Sequence, residues 1–244
     1  MNDQKPTVVL VHGAFAESAS WNGVIERLQA QGIDAVAVGN PLRSLTVDAT
    51  YVRDAIAGLG RPVVLVGHSY GGMVITEAAS NNDNVLALVY VGAFSPDTGE
   101  SALALSSKFP GSTLGETLTG YPVSTGGNEL AIRADAFHHQ FCADVPAETA
   151  ALMAATQRPV TEASLSEGLA TNVPAWKQHP SWFVYGDADL NIPAELQRFS
   201  SERAGSRGTR ELPGVSHALS VSAPDEVAAS VLDAIAAVAG AGNE

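Results

Sequence analysis

The sequence predicts an α/β protein in which about six parallel strands form one sheet with helices packed on both faces. Three observations predict this class. Short β-branched runs alternate with amphipathic stretches, which is the pattern of repeated βαβ units. The length of 244 residues suits one domain of this kind. Hydrophobic residues make up 45% and charged residues 16% of the chain, a composition typical of a globular protein rather than a disordered one.

Strands and helices alternate regularly over the first part of the chain. An apolar stripe from Trp21 to Leu28 has helical spacing and ends before Gly32, and a second stripe runs from Tyr51 to Leu59. A further helical pattern begins near Gly71 and reaches about Ser80. These helices alternate with four predicted strands, at residues 7–12, 34–38, 62–66 and 85–91.

The regular alternation stops after the fourth strand. From about Ser95 to His179, proline and glycine separate short pieces that are predicted to be helical, among them Glu129–Phe141 and Pro146–Gln157. A long helical insertion at this place in an α/β chain is typical of a cap over the functional site. We therefore predict a single domain over residues 1–244 with a cap inserted at about 96–179.

After the insertion the sequence returns to strands and helices. Two more strands are predicted at 182–185 and 209–212, separated by a helix that opens near Pro193. A last helix is predicted from Pro224 to about Val238. The parallel sheet is therefore expected to contain six strands.

Charge, hydropathy and cysteine content limit the partners of the chain. A formal charge of −13 disfavours nucleic acid and anionic membranes and agrees with a small uncharged substrate. No apolar run is long enough to span a membrane, and the first residues lack the apolar stretch of a secretory signal, so a cytoplasmic protein is expected. The single cysteine, Cys142, allows no internal disulfide, and the histidines lack metal-ligand spacing. We expect no metal and no cofactor.

The pentapeptide Gly67-His68-Ser69-Tyr70-Gly71 lies directly between the third strand and its helix. A Gly-x-Ser-x-Gly segment in this context predicts a nucleophile elbow, a tight turn that exposes the serine hydroxyl. Glycine is required on both sides because larger side chains would collide with the flanking strand and helix. We predict that Ser69 is a nucleophile. His68 is expected to pack in the protein instead, since its side chain should point away from Ser69.

A serine nucleophile needs a base and an acid that orients the base. In the sequence after a nucleophile elbow, the acid comes first and the histidine second. His217 lies in the loop after the last strand and is the predicted base. The acid should lie after the fifth strand, where both Asp187 and Asp189 are available. Asp97, after the fourth strand, is a third alternative.

Two backbone N–H groups are predicted to form an oxyanion hole, which stabilises the negative charge of a tetrahedral intermediate. One belongs to Tyr70, which follows the nucleophile at a helix N-terminus. The other is assigned to Ala14, in the loop after the first strand, where Gly13 allows a close approach of the backbone.

Taken together, these motifs resemble the α/β-hydrolase superfamily over essentially the whole chain, from about Thr7 to Val238. The start at the strand that carries the His-Gly pair, with Trp21 downstream, is similar to a compact branch of that superfamily. This branch contains plant methylesterases, hydroxynitrile lyases and small bacterial esterases. The resemblance implies an α/β-hydrolase fold. It also favours Asp189 as the acid, because Gly186, Asp189 and Pro193 match the family pattern Gly-x-x-Asp-x-x-x-Pro.

The resemblance further implies a carboxylesterase-type hydrolase that cleaves small, mostly uncharged esters or lactones through an acyl-enzyme. Hydroxynitrile lyases of this branch carry a threonine after the first-strand histidine and a lysine beside the catalytic histidine. Gly13 and Ala218 stand at these positions here, which favours an esterase over a lyase. Two alternatives are non-hydrolytic chemistry on the same triad (perhydrolysis, C–C cleavage or cofactor-free oxygenation) and a ligand-binding receptor with weak turnover.

Substrate contacts are expected from the first-strand loop and from the apolar faces of the cap. The candidates are Phe15, Phe137, His138, Phe141 and Met153. Apolar stripes on helices also serve as core packing, so these contacts depend on how the cap folds.

Overall fold

Six parallel strands form the main sheet in the computed structural model, which describes residues 5–124 and 126–240. Within those ranges the chain forms nine strands, in chain order β1 (Thr7–Val11), β2 (Ala35–Val38), β3 (Val63–His68), β4 (Val85–Val91), β5 (Leu118–Pro122), β6 (Asn128–Ile132), β7 (Val160–Thr161), β8 (Ser181–Gly186) and β9 (Gly208–Leu212). The main sheet has the order β2-β1-β3-β4-β8-β9, and all neighbouring strands in it are parallel.

Helices connect the strands of the main sheet. The same ranges contain the α-helices α1 (Asn22–Ala30), α2 (Leu45–Leu59), α3 (Gly71–Ala78), α4 (Ala102–Ser106), α5 (Leu114–Thr117), α6 (Ala134–Phe141), α7 (Ala147–Thr156), α8 (Glu162–Ser166), α9 (Ala194–Arg203), α10 (Leu219–Ser222) and α11 (Pro224–Gly240). Two short 3-10 helices lie at Ser18–Trp21 and Ala175–Lys177. Helix α2 begins earlier than its apolar stripe because the Ser44 side chain accepts a hydrogen bond from the Val47 N–H at 3.2 Å.

The sheet is covered on both faces, and successive strand residues divide between the two cores. Val8 and Leu10 belong to the core that includes α1 and α11, whereas Val9 and Val11 belong to the core that includes α2 and α3. Strands buried on both faces explain the continuous apolar runs in the sequence. The predicted fold class is confirmed.

The chain reverses its direction of winding at β1, because β2 lies on one side of β1 and β3 on the other. The loops that follow β1 and β3 therefore lie side by side at the carboxyl edge of the sheet, where Val11 is paired with Gly67. Open α/β sheets bind ligands at this switch point. The geometry brings the His12–Ala14 loop next to Ser69.

The segment between β4 and β8 differs from the prediction of a mostly helical insertion. Strands β5, β6 and β7 form a three-stranded antiparallel sheet within it, and the predicted helix 129–141 divides into β6 and α6. Gly126 and Gly127 have positive φ angles of 96° and 77°, and the Val123 N–H donates to the Gly127 carbonyl in the turn that joins β5 to β6. The hairpin contains few β-branched residues, so pairing rather than residue preference produces it.

None of the helices in the described ranges is long and apolar enough to cross a lipid bilayer.

Candidate active site

Ser69 occupies the turn between β3 and α3 in a left-handed conformation, with φ of +55°. This conformation is rare for a residue with a side chain, and it marks a site where the surroundings hold the backbone under strain. A Cβ atom on Gly71 would lie 2.4 Å from the carbonyl oxygen of Val11, and one on Gly67 would lie 2.6 Å from that of Gly71. The two glycines of the pentapeptide are therefore required by close packing of the backbone.

Asp189 and His217 form a buried hydrogen-bonded pair at the neighbouring strand ends. The Oδ2 atom of Asp189 lies 2.6 Å from Nδ1 of His217, and the two side chains are at most 1% exposed. The other carboxylate oxygen, Oδ1, accepts hydrogen bonds from the backbone N–H groups of Asn191 (2.7 Å) and Ile192 (2.9 Å). A carboxylate accepts but does not donate, so His217 donates from Nδ1 and keeps Nε2 as its acceptor.

His68 connects the serine turn to the histidine loop. Its Nε2 donates to the backbone carbonyl of His217 at 2.9 Å, and the two imidazole rings lie 4.7 Å apart between centroids. Complete burial and the neighbouring His217 hold the pKa of His68 well below its ordinary value, so the ring stays neutral. The residue that precedes Ser69 thus contacts His217 directly.

The two other acid candidates lie elsewhere. Asp187 is exposed and accepts a hydrogen bond from the Gly214 N–H at 2.6 Å. Asp97 forms a surface ion pair with Lys177 at 2.7 Å. Of the three carboxylates, the structure brings only Asp189 into contact with His217.

The inserted segment also contacts the loop that carries His217. Asp144 accepts hydrogen bonds from both the backbone N–H (3.1 Å) and the hydroxyl of Ser216. The ring of Phe141 lies edge-on to the imidazole of His217, with centroids 5.0 Å apart. The end of α6 therefore packs directly on the histidine loop.

The loop after β1 is fixed by a buried histidine. His12 donates from Nδ1 to the Gly13 carbonyl and accepts at Nε2 from the Asn40 N–H, at 2.9 and 3.0 Å. The Asn40 amide returns a hydrogen bond to the His12 carbonyl at 2.9 Å. Ala14, the residue after Gly13, lines the same pocket as Ser69. Within residues 5–124 and 126–240, no backbone partner engages the N–H of Ala14 or that of Tyr70.

A buried carboxylate holds the side chain of Tyr70 in place. Its hydroxyl donates to Oδ2 of Asp48 at 2.9 Å, and both residues are almost completely buried. Burial raises the pKa of Asp48, and burial together with the carboxylate raises that of Tyr70. This hydrogen bond fixes the residue whose N–H opens α3.

The neutral state of His12 predicts a pH dependence of folding stability. Burial lowers the pKa of His12 from 6.5 to about 4. When the pH falls below 6.5, the His12 imidazole binds a proton in the unfolded chain but stays neutral in the folded chain. The free energy of unfolding therefore decreases. Between about pH 7.5 and about pH 5 the loss from this residue should be roughly 2 kcal/mol. Urea unfolding of the wild type and of His12→Asn measures it, and an equal pH dependence in the two proteins would contradict this assignment.

A pocket of about 140 Å³ opens beside Ser69. Besides Ser69, Ala14 and Tyr70, its wall is mostly apolar and includes Phe15, Phe94, Leu118, Leu165 and Ile192. Phe15, Phe94 and Ile192 come from loops that follow strands of the main sheet, whereas Leu118 and Leu165 come from the inserted segment. Both parts of the chain therefore form the pocket.

The predicted substrate contacts divide among several places. Phe15 lines this pocket and also a second one of about 440 Å³, and Met153 lines only the second. Phe137 and Phe141 are buried and stack on each other at 5.0 Å between centroids. His138 donates from Nε2 to the Val145 carbonyl at 2.8 Å within the inserted segment. Neither of the two phenylalanines nor His138 lines the pocket beside Ser69.

The sequence reasoning did not identify several residues that line the pocket, among them Phe94, Leu118, Leu165 and Asn191. Asn191 carried a usable signal, because it stands two residues after Asp189 in a loop at a strand end. Leu118 and Leu165 carried none, since they reach the pocket only through the fold of the inserted segment.

Cys142 does not provide a second nucleophile. Cys142 is buried, and burial raises the pKa of its thiol to about 12, which keeps it protonated. Across the described part of the chain, no group of three or more histidine, cysteine or carboxylate side chains is arranged to bind a metal ion.

The parallel sheet, the serine turn and the buried Asp189–His217 pair are typical of an α/β hydrolase, and the sequence comparison shows the same family. The sequence model of the alpha/beta hydrolase family matches residues 8–230, so the chain belongs to this family. The predicted resemblance is thereby confirmed.

Several relatives are named as esterases or hydrolases. Methylesterase 8 of Arabidopsis thaliana is 28% identical over 233 residues, which covers 87% of this chain and 83% of the plant protein. The alpha/beta hydrolase nvfD of Aspergillus novofumigatus is 34% identical, but the match covers 40% of this chain and less than half, 46%, of that protein. The crystal structure of polyneuridine aldehyde esterase has the same fold, with a TM-score of 0.80 at 21% identity over 94% of this chain and 99% of that chain.

Proposed function

We propose that the protein is a serine hydrolase that cleaves carboxylic esters of small, uncharged molecules through an acyl-enzyme on Ser69. The observation that carries the proposal is the buried 2.6 Å hydrogen bond between Asp189 and His217 beside the strained turn of Ser69. The membership in the alpha/beta hydrolase family and the esterases among the relatives support the same reaction.

In the acylation half-reaction, Nε2 of His217 takes the proton from the Ser69 hydroxyl while its oxygen attacks the carbonyl carbon of the ester. The N–H groups of Ala14 and Tyr70 stabilise the oxyanion of the tetrahedral intermediate. His217 then gives the proton to the leaving alcohol oxygen as the C–O bond breaks. Asp189 keeps His217 in the required tautomer and stabilises the imidazolium.

In the deacylation half-reaction, His217 removes a proton from a water molecule that attacks the acyl-serine. The second tetrahedral intermediate uses the same two N–H groups. When it collapses, the bond to Ser69 breaks, the serine oxygen regains its proton from His217, and the carboxylic acid is released.

The pocket beside Ser69 supports the choice of a neutral substrate. Its lining contains no aspartate, glutamate, lysine or arginine among the described residues. Removing a charged group from water without a partner is strongly unfavourable, so a neutral and largely apolar group suits this pocket. We assign the inserted segment 96–179 as the cap that closes over it.

The experiment that tests the proposal is active-site labelling. A fluorophosphonate probe should label one serine per chain, located at Ser69 by peptide mapping, and p-nitrophenyl acetate should give a burst of p-nitrophenol. The Ser69→Ala variant should not be labelled, whereas Ser107→Ala, which changes an exposed serine on the inserted segment, should be labelled like the wild type. Labelling that persists in Ser69→Ala, or a wild type that takes up no probe, would refute the proposal and favour a ligand-binding protein.

A further inference from the structure

Among the described residues that line the pocket beside Ser69, Asn191 is the one with a side-chain amide. This residue lies in the loop between β8 and α9 and is only 3% exposed. Its backbone N–H is used by Asp189. The side chain takes no part in the proposed triad, so its presence in a mostly apolar pocket has another cause.

Neighbouring hydrogen bonds fix which end of the Asn191 amide faces the pocket. The buried Gln140 donates from Nε2 to the Leu190 carbonyl at 2.9 Å and to Oδ1 of Asn191 at 2.8 Å. A backbone carbonyl can only accept, so the group of Gln140 between them must be its NH₂. Asn191 therefore presents its oxygen to Gln140 and turns its own NH₂ away from it.

The orientation of Gln140 is supported from its other end. The Thr113 hydroxyl donates to Oε1 of Gln140 at 2.9 Å. A chain of hydrogen bonds thus runs from Thr113 through Gln140 to Asn191 and holds the asparagine amide in one orientation.

The NH₂ group of Asn191 is available for a ligand. Within the described ranges it donates no hydrogen bond to the protein, and it is not sealed from solvent. Two other polar side chains of the pocket are already engaged: the Tyr70 hydroxyl donates to Asp48, and the Ser106 hydroxyl donates to the Leu103 carbonyl at 2.9 Å. The hydroxyl of Ser112 is the competing donor that the test below separates from Asn191. A donor held in an apolar wall discriminates between ligands that have an acceptor and ligands that lack one.

The proposed reaction assigns this pocket to one side of the ester. Its described lining includes Ser69 together with Ala14 and Tyr70, whose N–H groups are proposed to bind the carbonyl oxygen of the ester. The leaving alcohol must be close to His217, because it receives its proton from Nε2. The proposed mechanism therefore places the acyl chain, rather than the leaving alcohol, in this pocket.

Building on the proposed esterase function, we propose that Asn191 is a specificity-determining residue that donates a hydrogen bond to an oxygen of the acyl chain. The substrate class is a neutral ester whose acyl group is short, mostly apolar and carries an ether, hydroxyl or carbonyl oxygen beyond the scissile carbonyl. The pocket volume of about 140 Å³ limits the acyl group to a few carbon atoms.

The test compares esters that differ only by oxygen in place of a methylene group. One pair is p-nitrophenyl methoxyacetate and p-nitrophenyl butyrate, and the second is p-nitrophenyl 3-methoxypropanoate and p-nitrophenyl pentanoate. Each kcat/KM is divided by the alkaline hydrolysis rate of the same ester, which removes differences in intrinsic reactivity. The readout is the ratio within each pair, so an overall change in rate does not affect it.

The wild type is expected to prefer at least one oxygen-containing ester by about fivefold to tenfold, the range typical of one hydrogen bond. Asn191→Leu, which keeps the size but removes the donor, should bring that ratio to about one. Asn191→Ala gives the same test if the leucine variant fails to bind the fluorophosphonate probe. Ser112→Ala, which removes the hydroxyl of another residue in the pocket wall, should retain the wild-type ratio.

The inference is overturned if the wild type shows no preference in either pair, or if the preference survives in the Asn191 variants. Loss of the preference in Ser112→Ala but not in Asn191→Leu would also overturn it. A wild type that hydrolyses none of the four esters would instead refute the esterase proposal on which the inference rests, so the two failures are distinguishable.

Discussion

Replacement of Ser69 by alanine is expected to lower kcat for ester hydrolysis by about 10⁴-fold to 10⁶-fold. The substitution removes the attacking oxygen and forces water to attack the ester directly. The N–H groups of Ala14 and Tyr70 remain in place, so a residual rate above that of the uncatalysed reaction should persist. Alanine adds no atom to the tight turn, so the positive φ of residue 69 should be maintained as well as it is for serine.

The measurement is the initial rate with p-nitrophenyl acetate, together with thermal unfolding to show that the variant is folded. Ser107→Ala is the matched control, because it removes an exposed hydroxyl that bonds only to carbonyls of its own helix. Retention of more than about a tenth of the wild-type kcat in Ser69→Ala would exclude Ser69 as the nucleophile.

Replacement of Asp189 by asparagine is expected to lower kcat by about 10⁴-fold, the loss seen when the histidine of such a triad takes the wrong tautomer. The surroundings of Asp189 explain why this would occur here. Oδ1 accepts from the backbone N–H groups of Asn191 and Ile192, so the carbonyl oxygen of the new amide must occupy that position. The amide NH₂ is then forced to face Nδ1 of His217. That nitrogen becomes the acceptor, Nε2 carries the proton, and His217 can no longer take the proton of Ser69.

Asp187→Asn provides the control for this prediction, because Asp187 is the neighbouring acidic alternative and lies on the surface. Its kcat should change by less than about threefold, since exposed hydrogen bonds contribute little. Fluorophosphonate labelling rates measured beside kcat would report the same loss of serine reactivity in Asp189→Asn. A larger effect of Asp187→Asn than of Asp189→Asn would assign the acid to Asp187.

The sequence was sufficient for the features that depend on local pattern. The strands that are buried on both faces appear as continuous apolar runs, and Ser69 appears between a strand and a helix with glycine on either side. Asp189 and His217 lie in the loops after β8 and β9, which are neighbours in the main sheet. Their contact could therefore be anticipated from the order of the elements.

The features that the sequence did not reveal depend on partners far along the chain. Strand β5 has a weak strand preference and forms because it pairs with β6. An apolar face on α6 indicated that Phe141 is buried, but only the structure shows that it packs on His217. The direction of the Asn191 amide is decided by Gln140, which lies 51 residues earlier.

The inserted segment has two parts with different roles. The end of α6 supports the His217 loop through the contact of Asp144 with Ser216, and α4 and α8 line the pocket. Changes at the end of α6 displace Phe141 or Asp144 and therefore disturb the loop of His217, whatever the ligand. Changes in α4 and α8 reach the pocket through Leu103 and Leu165. Libraries aimed at new ligands are best confined to α4 and α8, where substitutions leave the contacts of Phe141 and Asp144 with the His217 loop unchanged.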